Sequence, residues 1–161
     1  YEDIQNPAEG VKILSEIEDL EKPADRASVL DMVIKTVRFF PTNVYNDMYT
    51  DVVGHEWYAG TVECAYQNGI IEDALVVNHC LMPEKAVTLE EFLIFAVNGY
   101  KSRRKLPAEK SCAYDTKCAD FARPFVRAAC EIGLLPGDGS ADLQHILTRG
   151  EAVALCRKMS V

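Results

Sequence analysis

Trp57-Tyr58-Ala59-Gly60-Thr61-Val62, continued by Ala65-Tyr66-Gln67-Asn68-Gly69-Ile70-Ile71, returns further along the chain. It reappears as Phe121-Ala122-Arg123-Pro124-Phe125-Val126 and Ala129-Cys130-Glu131-Ile132-Gly133-Leu134-Leu135. An aromatic residue, a helix entry, an apolar stripe and a terminating glycine recur in register, with Val62, Ala65 and Gly69 aligned to Val126, Ala129 and Gly133. Self-similarity of this kind marks a repeat architecture. Pro124 suits the first helical turn, where its missing N–H costs nothing. Gly69 and Gly133 suit the left-handed C′ position that ends a helix. The Ile or Leu pair after each glycine predicts a short apolar, strand-like departure.

A second helix follows in each copy. Thr88-Leu89-Glu90-Glu91 and Thr148-Arg149-Gly150-Glu151 both fit a capping box, with Thr88 or Thr148 at N-cap and Glu91 or Glu151 three residues on. Phe92, Leu93, Phe95 and Ala96 in one, and Ala152, Val153, Leu155 and Cys156 in the other, supply an apolar period of helical type. An earlier, more divergent copy opens with Tyr1-Glu2-Asp3-Ile4, which parallels Tyr49-Thr50-Asp51-Val52. Pro7 starts a helix there, with Val11, Leu14 and Ile17 on its apolar side. Asp25 caps a second helix running through Val29, Met32, Val33, Thr36 and Val37, which stops before Pro41. The expected organisation is all-α: one module over 1–161, with helix–loop–helix repeats near 1–40, 49–99 and 114–160. A unit of this size cannot bury its stripes alone, so the three pack around a shared helical core.

The net charge of −8 argues against a nucleic-acid partner, because neutralising phosphates needs clustered Lys and Arg. The basic cluster Lys101-Ser102-Arg103-Arg104-Lys105 reads as a solvated linker, or else as a contact for an anionic polymer. No apolar run is long enough to span a bilayer. The opening Tyr1-Glu2-Asp3-Ile4 is not a signal peptide, so a mature fragment or excised domain is expected. Among the six cysteines, Cys64, Cys130 and Cys156 fall in apolar-periodic helices and read as buried. Cys112 and Cys118 share a loop, where a local disulfide is possible. No metal site is expected: the chain has no CxxC pair, its histidines are scattered, and His79-Cys80 alone is weak. Nor is there a GxSxG, a P-loop or a convincing carboxylate pair, so no catalysis and no cofactor are expected.

These residues resemble the S-layer-homology family. Its pattern is an aromatic-x-Asp-Val start, a Trp-Tyr-Ala helix entry and a Gly-Ile-Ile exit, then a Gly-Asp-Gly loop and a Thr-Arg-Ala-Glu opening of the second helix. Tyr49 to Val52, Trp57 to Ala59 and Gly69 to Ile71 match it in the second repeat. Gly133 to Leu135, Gly137-Asp138-Gly139 and Thr148 to Glu151 match it in the third. The resemblance implies a pseudo-threefold helical module that attaches a larger surface protein to a bacterial envelope without a covalent bond. Its implied partner is a cell-wall polysaccharide or peptidoglycan-linked polymer, often pyruvylated, held in grooves between repeats. The implied location is extracellular, at the cell wall.

The residues make such chemistry plausible. A helix N-terminus offers N–H groups and a positive dipole end to a carboxylate, and an Arg at the first helical position adds a charge-assisted contact. Arg26 and Arg149 hold that position. Trp57 offers a face for a sugar ring, Gly137 and Gly139 allow close backbone approach, and Asp51 and Asp138 complete the candidate set. Each has a structural counterpart: capping for Asp25, Thr88, Glu91, Thr148 and Glu151, core packing for Trp57, turn ordering for the aspartates and a salt bridge for the arginines. Leu89 stands where the family carries Arg, Ser28 where it carries Glu, and the loop Glu72 to Cys80 lacks Gly-Asp-Gly. Three equivalent grooves are therefore not expected, and a protein-binding structural module on the cell surface is the alternative.

Overall fold

The computed structural model describes residues 20–159. The helix expected from Pro7, with Val11, Leu14 and Ile17, and the Tyr1 motif lie outside the described residues. Five α-helices run in order: α1 (Arg26–Thr36), α2 (Ala59–Gln67), α3 (Leu89–Lys101), α4 (Arg123–Glu131) and α5 (Arg149–Lys158). A 3-10 turn, Asp73–Leu75, lies between α2 and α3. Among the described residues there is no strand, only isolated bridges. The fold is mainly helical, as the periodicity predicts.

Helix ends follow their sequence signals. Gly69 and Gly133 have φ of +72° and +87°. Behind each, the next N–H reaches back into the helix: Ile70 to the Ala65 carbonyl and Leu134 to the Ala129 carbonyl, both at 2.9 Å. This is the glycine-ended Schellman closure, with Ile70 and Leu134 folded into the core. Neither apolar pair forms a strand, which corrects that expectation. The Ile70 carbonyl is instead taken by Asn98 of α3.

Helix α1 reads as one apolar stripe, but burial extends almost all round it: Leu30 and Ile34 are as buried as Val29 and Val33. It packs against α2, α3 and α5, while α3 also packs against α4. A helix enclosed on several sides needs apolar residues on several sides. Close approach depends on glycines. A Cβ at Gly99 would meet Val33 Cγ1 at 2.7 Å, and one at Gly60 would meet the Thr42 carbonyl oxygen at 2.1 Å.

Three residues just before helix N-caps form a closed hydrogen-bond ring. The Ala24 N–H donates to Leu147 O at 2.9 Å, Leu147 N–H to Val87 O at 3.0 Å, and Val87 N–H to Ala24 O at 3.0 Å. All three side chains are buried. The pattern continues into the helices. Arg26 and Ala27 donate to Lys85 O and Pro83 O; Leu89 and Glu90 donate to His145 O and Leu143 O; Arg149 and Gly150 donate to Lys22 O and Leu20 O. The third N–H of each helix goes to its own cap side chain: Ser28 to Asp25, Glu91 to Thr88 and Glu151 to Thr148.

The cysteines are all thiols. Cys64 and Cys156 are buried as expected, but Cys130 is only half-buried, and Cys112 and Cys118 are not joined to each other. Nor is the basic cluster simply solvated. Arg103 donates to the Val37 and Arg38 carbonyls beyond the end of α1 and stacks on Phe39 with its guanidinium 4.0 Å from the ring centre.

Gly60→Ala tests this packing. Alanine is ordinarily the better helix former by about 1 kcal/mol. At Gly60 it must displace backbone, so we expect a loss of roughly 1–3 kcal/mol in urea unfolding. Gly137→Ala, where an added Cβ meets nothing within 4 Å, is the control and should fall within about 0.5 kcal/mol of the parent.

Candidate functional site

The first helical positions of α1, α3 and α5 are Arg26, Leu89 and Arg149. Their backbone N–H groups, and those of the next two residues in each helix, are spent inside the protein, as given above. The expectation that helix N-termini present free N–H groups to a ligand is therefore corrected. A carboxylate arriving there finds carbonyls of a neighbouring segment already in place.

The two arginines have different environments. Arg26 is 2% exposed. Its guanidinium donates to Leu75 O at 2.9 Å, Leu81 O at 2.6 Å and Glu91 Oε1 at 2.5 Å. It ties the loop between α2 and α3, and the opening of α3, to α1, leaving it no surface to offer a ligand. Lys85 reaches the same Glu91 oxygen at 3.2 Å from a more exposed side. Because Glu91 turns toward Arg26, it does not return to its own N-cap, and the box at Thr88 is half closed. The box at Thr148 is complete. There the third-position residue is Glu151, whose carboxylate takes the Thr148 N–H and also contacts His145 Nε2. Those hydrogen bonds hold the Glu151 carboxyl below its ordinary pKa.

Arg149 is half-buried. Among the described residues its side chain has one partner, Ser28 Oγ at 2.7 Å, and its Nε is buried without one. The contacts follow one rule: Arg26 meets Glu91, the third residue of α3, and Arg149 meets Ser28, the third residue of α1.

Asp51 is fully engaged in structure. Its two oxygens accept from Leu81 N at 2.9 Å and Met82 N at 2.7 Å. Met82 has φ +58°, a left-handed backbone that Asp51 helps hold. Asp51 and Arg26 thus grip the Leu81 residue from its two sides, N–H and carbonyl. Trp57 is 65% exposed and meets Tyr58 edge-on, with ring centres 5.4 Å apart. It does not plug the core. Burial raises the Tyr58 phenol pKa, as do the nearby Glu56, Glu84, Asp51 and Asp25 carboxylates.

In the Gly137-Asp138-Gly139 turn, Gly137 and Asp138 are exposed and Gly139 is buried. Asp138 accepts from Ser140 N. A Cβ at Gly139, φ +79°, would meet Ala113 Cβ at 2.9 Å. That glycine makes room for the chain's own backbone. Tyr114, fully buried, donates its hydroxyl to Pro136 O and accepts from Ala141 N. Sequence reading assigned no role to Tyr114, Glu90, Lys85 or Ser28. Glu90 accepts from Ala119 N across to the segment before α4. Among the described residues no group of three or more His, Cys, Asp or Glu is arranged to hold a metal ion, and no helix is long and apolar enough to cross a membrane.

No known family profile matches the chain. It is 29% identical over 140 residues to exoglucanase XynX of Acetivibrio thermocellus, an alignment covering 83% of this chain and 12% of that protein. It is 27% identical over 140 residues to an amylopullulanase of Thermoanaerobacterium thermosulfurigenes, covering 83% of this chain and 7% of that protein. The chain therefore spans about an eighth or less of the length of these relatives, each a much larger protein that contains a segment like this one.

The two arginines should separate in unfolding experiments. Arg26→Ala leaves the buried Glu91 carboxylate to Lys85 alone and takes the donor from two loop carbonyls, and we expect a loss of about 3–5 kcal/mol. Arg149→Ala gives up one hydrogen bond and should cost about 1 kcal/mol. Equal losses in urea denaturation would contradict this assignment.

Proposed function

We propose that the chain is a non-catalytic, three-repeat module of S-layer-homology type that attaches a larger protein to a bacterial cell wall by binding an acidic wall polysaccharide. The observation that carries this reading is the company the segment keeps. Stretches 29% and 27% identical to this chain occupy 12% and 7% of two proteins named for different activities, an exoglucanase and an amylopullulanase. A segment shared by catalysts of different name is expected to do something both need besides their chemistry, and attachment is such a task. The cyclic hydrogen bonding of the Ala24, Val87 and Leu147 segments supports the repeat organisation near 1–40, 49–99 and 114–160.

Within the module, Arg149 supplies the charge-assisted contact to a glycan carboxylate and Trp57 the apolar face for a sugar ring. Arg149 is half-buried with Ser28 as its one side-chain partner among the described residues, where Arg26 is enclosed with three, and Trp57 presents two thirds of its surface to solvent. Arg26, Asp51 and the Gly137 to Gly139 turn hold these surfaces in place. The same reading puts the module outside the cell, on the wall. A protein-binding module is the second reading, favoured by exposed apolar residues around α2 such as Phe40, Val44 and Val53.

The test is calorimetric binding to purified wall polymer, with sacculi stripped of polymer as the control. Arg149→Ala should weaken binding roughly tenfold, the value of about 1.4 kcal/mol from one charge-assisted contact. Trp57→Ala should weaken it several-fold, with both variants matching the parent in circular dichroism. Unchanged binding in both would overturn the glycan reading, and retention on stripped sacculi would favour the protein-binding one.

A further inference from the structure

We propose that Cys112 and Cys130 are a disulfide-forming pair that locks the segment before α4 onto that helix. The inference stands apart from glycan binding and rests on how the segment 109–115 is strapped down.

Arg127, Cys130 and Glu131 lie three and four residues apart on α4 and so share one face of it. The strap crosses that face. Arg127 Nε and Nη2 hold the Asp115 carboxylate at 2.9 and 2.8 Å, while its Nη1 reaches Glu109 Oε2 at 2.7 Å. Lys110 meets Glu131 at 3.6 Å. Cys112 sits between Lys110 and Asp115, with its own N–H and thiol both directed to Asp115 Oδ1 at 3.3 Å. The strap therefore brings Cys112 opposite Cys130: Lys110 and Asp115, on either side of Cys112, meet Glu131 and Arg127, on either side of Cys130 in α4, and the two thiols interact electrostatically. Both pack against the apolar core. Cys118, the other cysteine of this loop, lies past the buried Tyr114, where Arg123 and Glu90 act on it more strongly than Cys112 does.

The step is thiol–disulfide exchange with a small disulfide oxidant such as oxidised glutathione. One protein thiolate attacks the oxidant and expels one glutathione thiolate. The second cysteine loses its proton to solvent, attacks the mixed disulfide and expels the other. Two protein thiols are oxidised and one glutathione disulfide is reduced to two thiols. Burial, and then the neighbouring Cys112 sulfur, push the Cys130 thiol up to about 12. It is protonated at neutral pH, so closure should quicken by nearly tenfold for each pH unit between about 7 and 9.

The experiment incubates the protein with oxidised glutathione, alkylates the remaining thiols and maps the linkage by mass spectrometry. The expected product is a Cys112–Cys130 link, retained in Cys118→Ser and absent from Cys112→Ser and Cys130→Ser. Oxidised parent should melt roughly 6–12 °C above reduced parent, whereas Cys130→Ser should melt alike with and without oxidant. A Cys112–Cys118 or Cys118–Cys130 link, or a parent whose Cys112 and Cys130 stay fully alkylatable after oxidation, would overturn the proposal.

Discussion

The structure depends on backbone hydrogen bonds at one place, where Ala24, Val87 and Leu147 each donate to the next around a closed ring. A buried N–H or carbonyl without a partner costs as much as a lost hydrogen bond, so segments meeting in a core must satisfy one another. Here none of the three is a strand, and each satisfies the other two. The ring fixes the residue before each N-cap, hence the start of α1, α3 and α5, and hence the direction in which each helix leaves the centre. The first two N–H groups of each of these three helices then fall onto carbonyls of a neighbouring segment. Helix capping, usually a local matter, becomes the means by which distant parts of the chain are held together.

That constraint makes the residue at the first helical position a contact between segments, and its identity decides what its neighbour does. With Arg26 there, Glu91 is drawn away from its own cap and into a buried pair that also gathers the Leu75 and Leu81 carbonyls. With Leu89 there, the corresponding Glu151 meets no arginine and closes its own capping box. With Arg149 there, the neighbour is Ser28, too short and neutral to neutralise a guanidinium. One geometric slot thus yields a buried ion pair, a buried leucine and a partly satisfied cation. A buried pair is costly to break even where an apolar replacement of both partners would be tolerated, which explains why Arg26 is tied to the fold.

Local signals were the legible ones. Gly69 and Gly133 ended their helices, Asp25, Thr88 and Thr148 capped theirs, and Pro124 sat in the first turn. Each is decided by a few neighbouring residues, so a linear reading reaches it. Arg26 and Arg149 read alike because both follow an N-cap, and nothing nearby in sequence shows that one faces the Leu75 to Leu81 loop and the other Ser28. The same limit hid Asp51, whose partners Leu81 and Met82 lie on the far side of α2. It also hid Gly139, which serves Ala113 on the preceding loop. The proposed pairing of Cys112 with Cys130 over Cys118 is of this kind too, since the strap set by Arg127 outranks sequence proximity.

The consumption of the helix N-termini changes how an acidic ligand can be held. A free N-terminus binds an anion through backbone N–H groups and dipole together, a mode indifferent to side chains and therefore common to all three openings. In this chain those N–H groups already face carbonyls, which occupy the space an anion would need and present negative partial charge. A carboxylate would have to be met by side chains, and the three openings are unequal because their side chains differ. Arg26 is enclosed, Leu89 has no side-chain donor, and Arg149 is half-buried with Ser28 as its one side-chain partner among the described residues. The ring thus gives α1, α3 and α5 the same backbone setting and leaves their openings to differ through the side chains at the first and third helical positions.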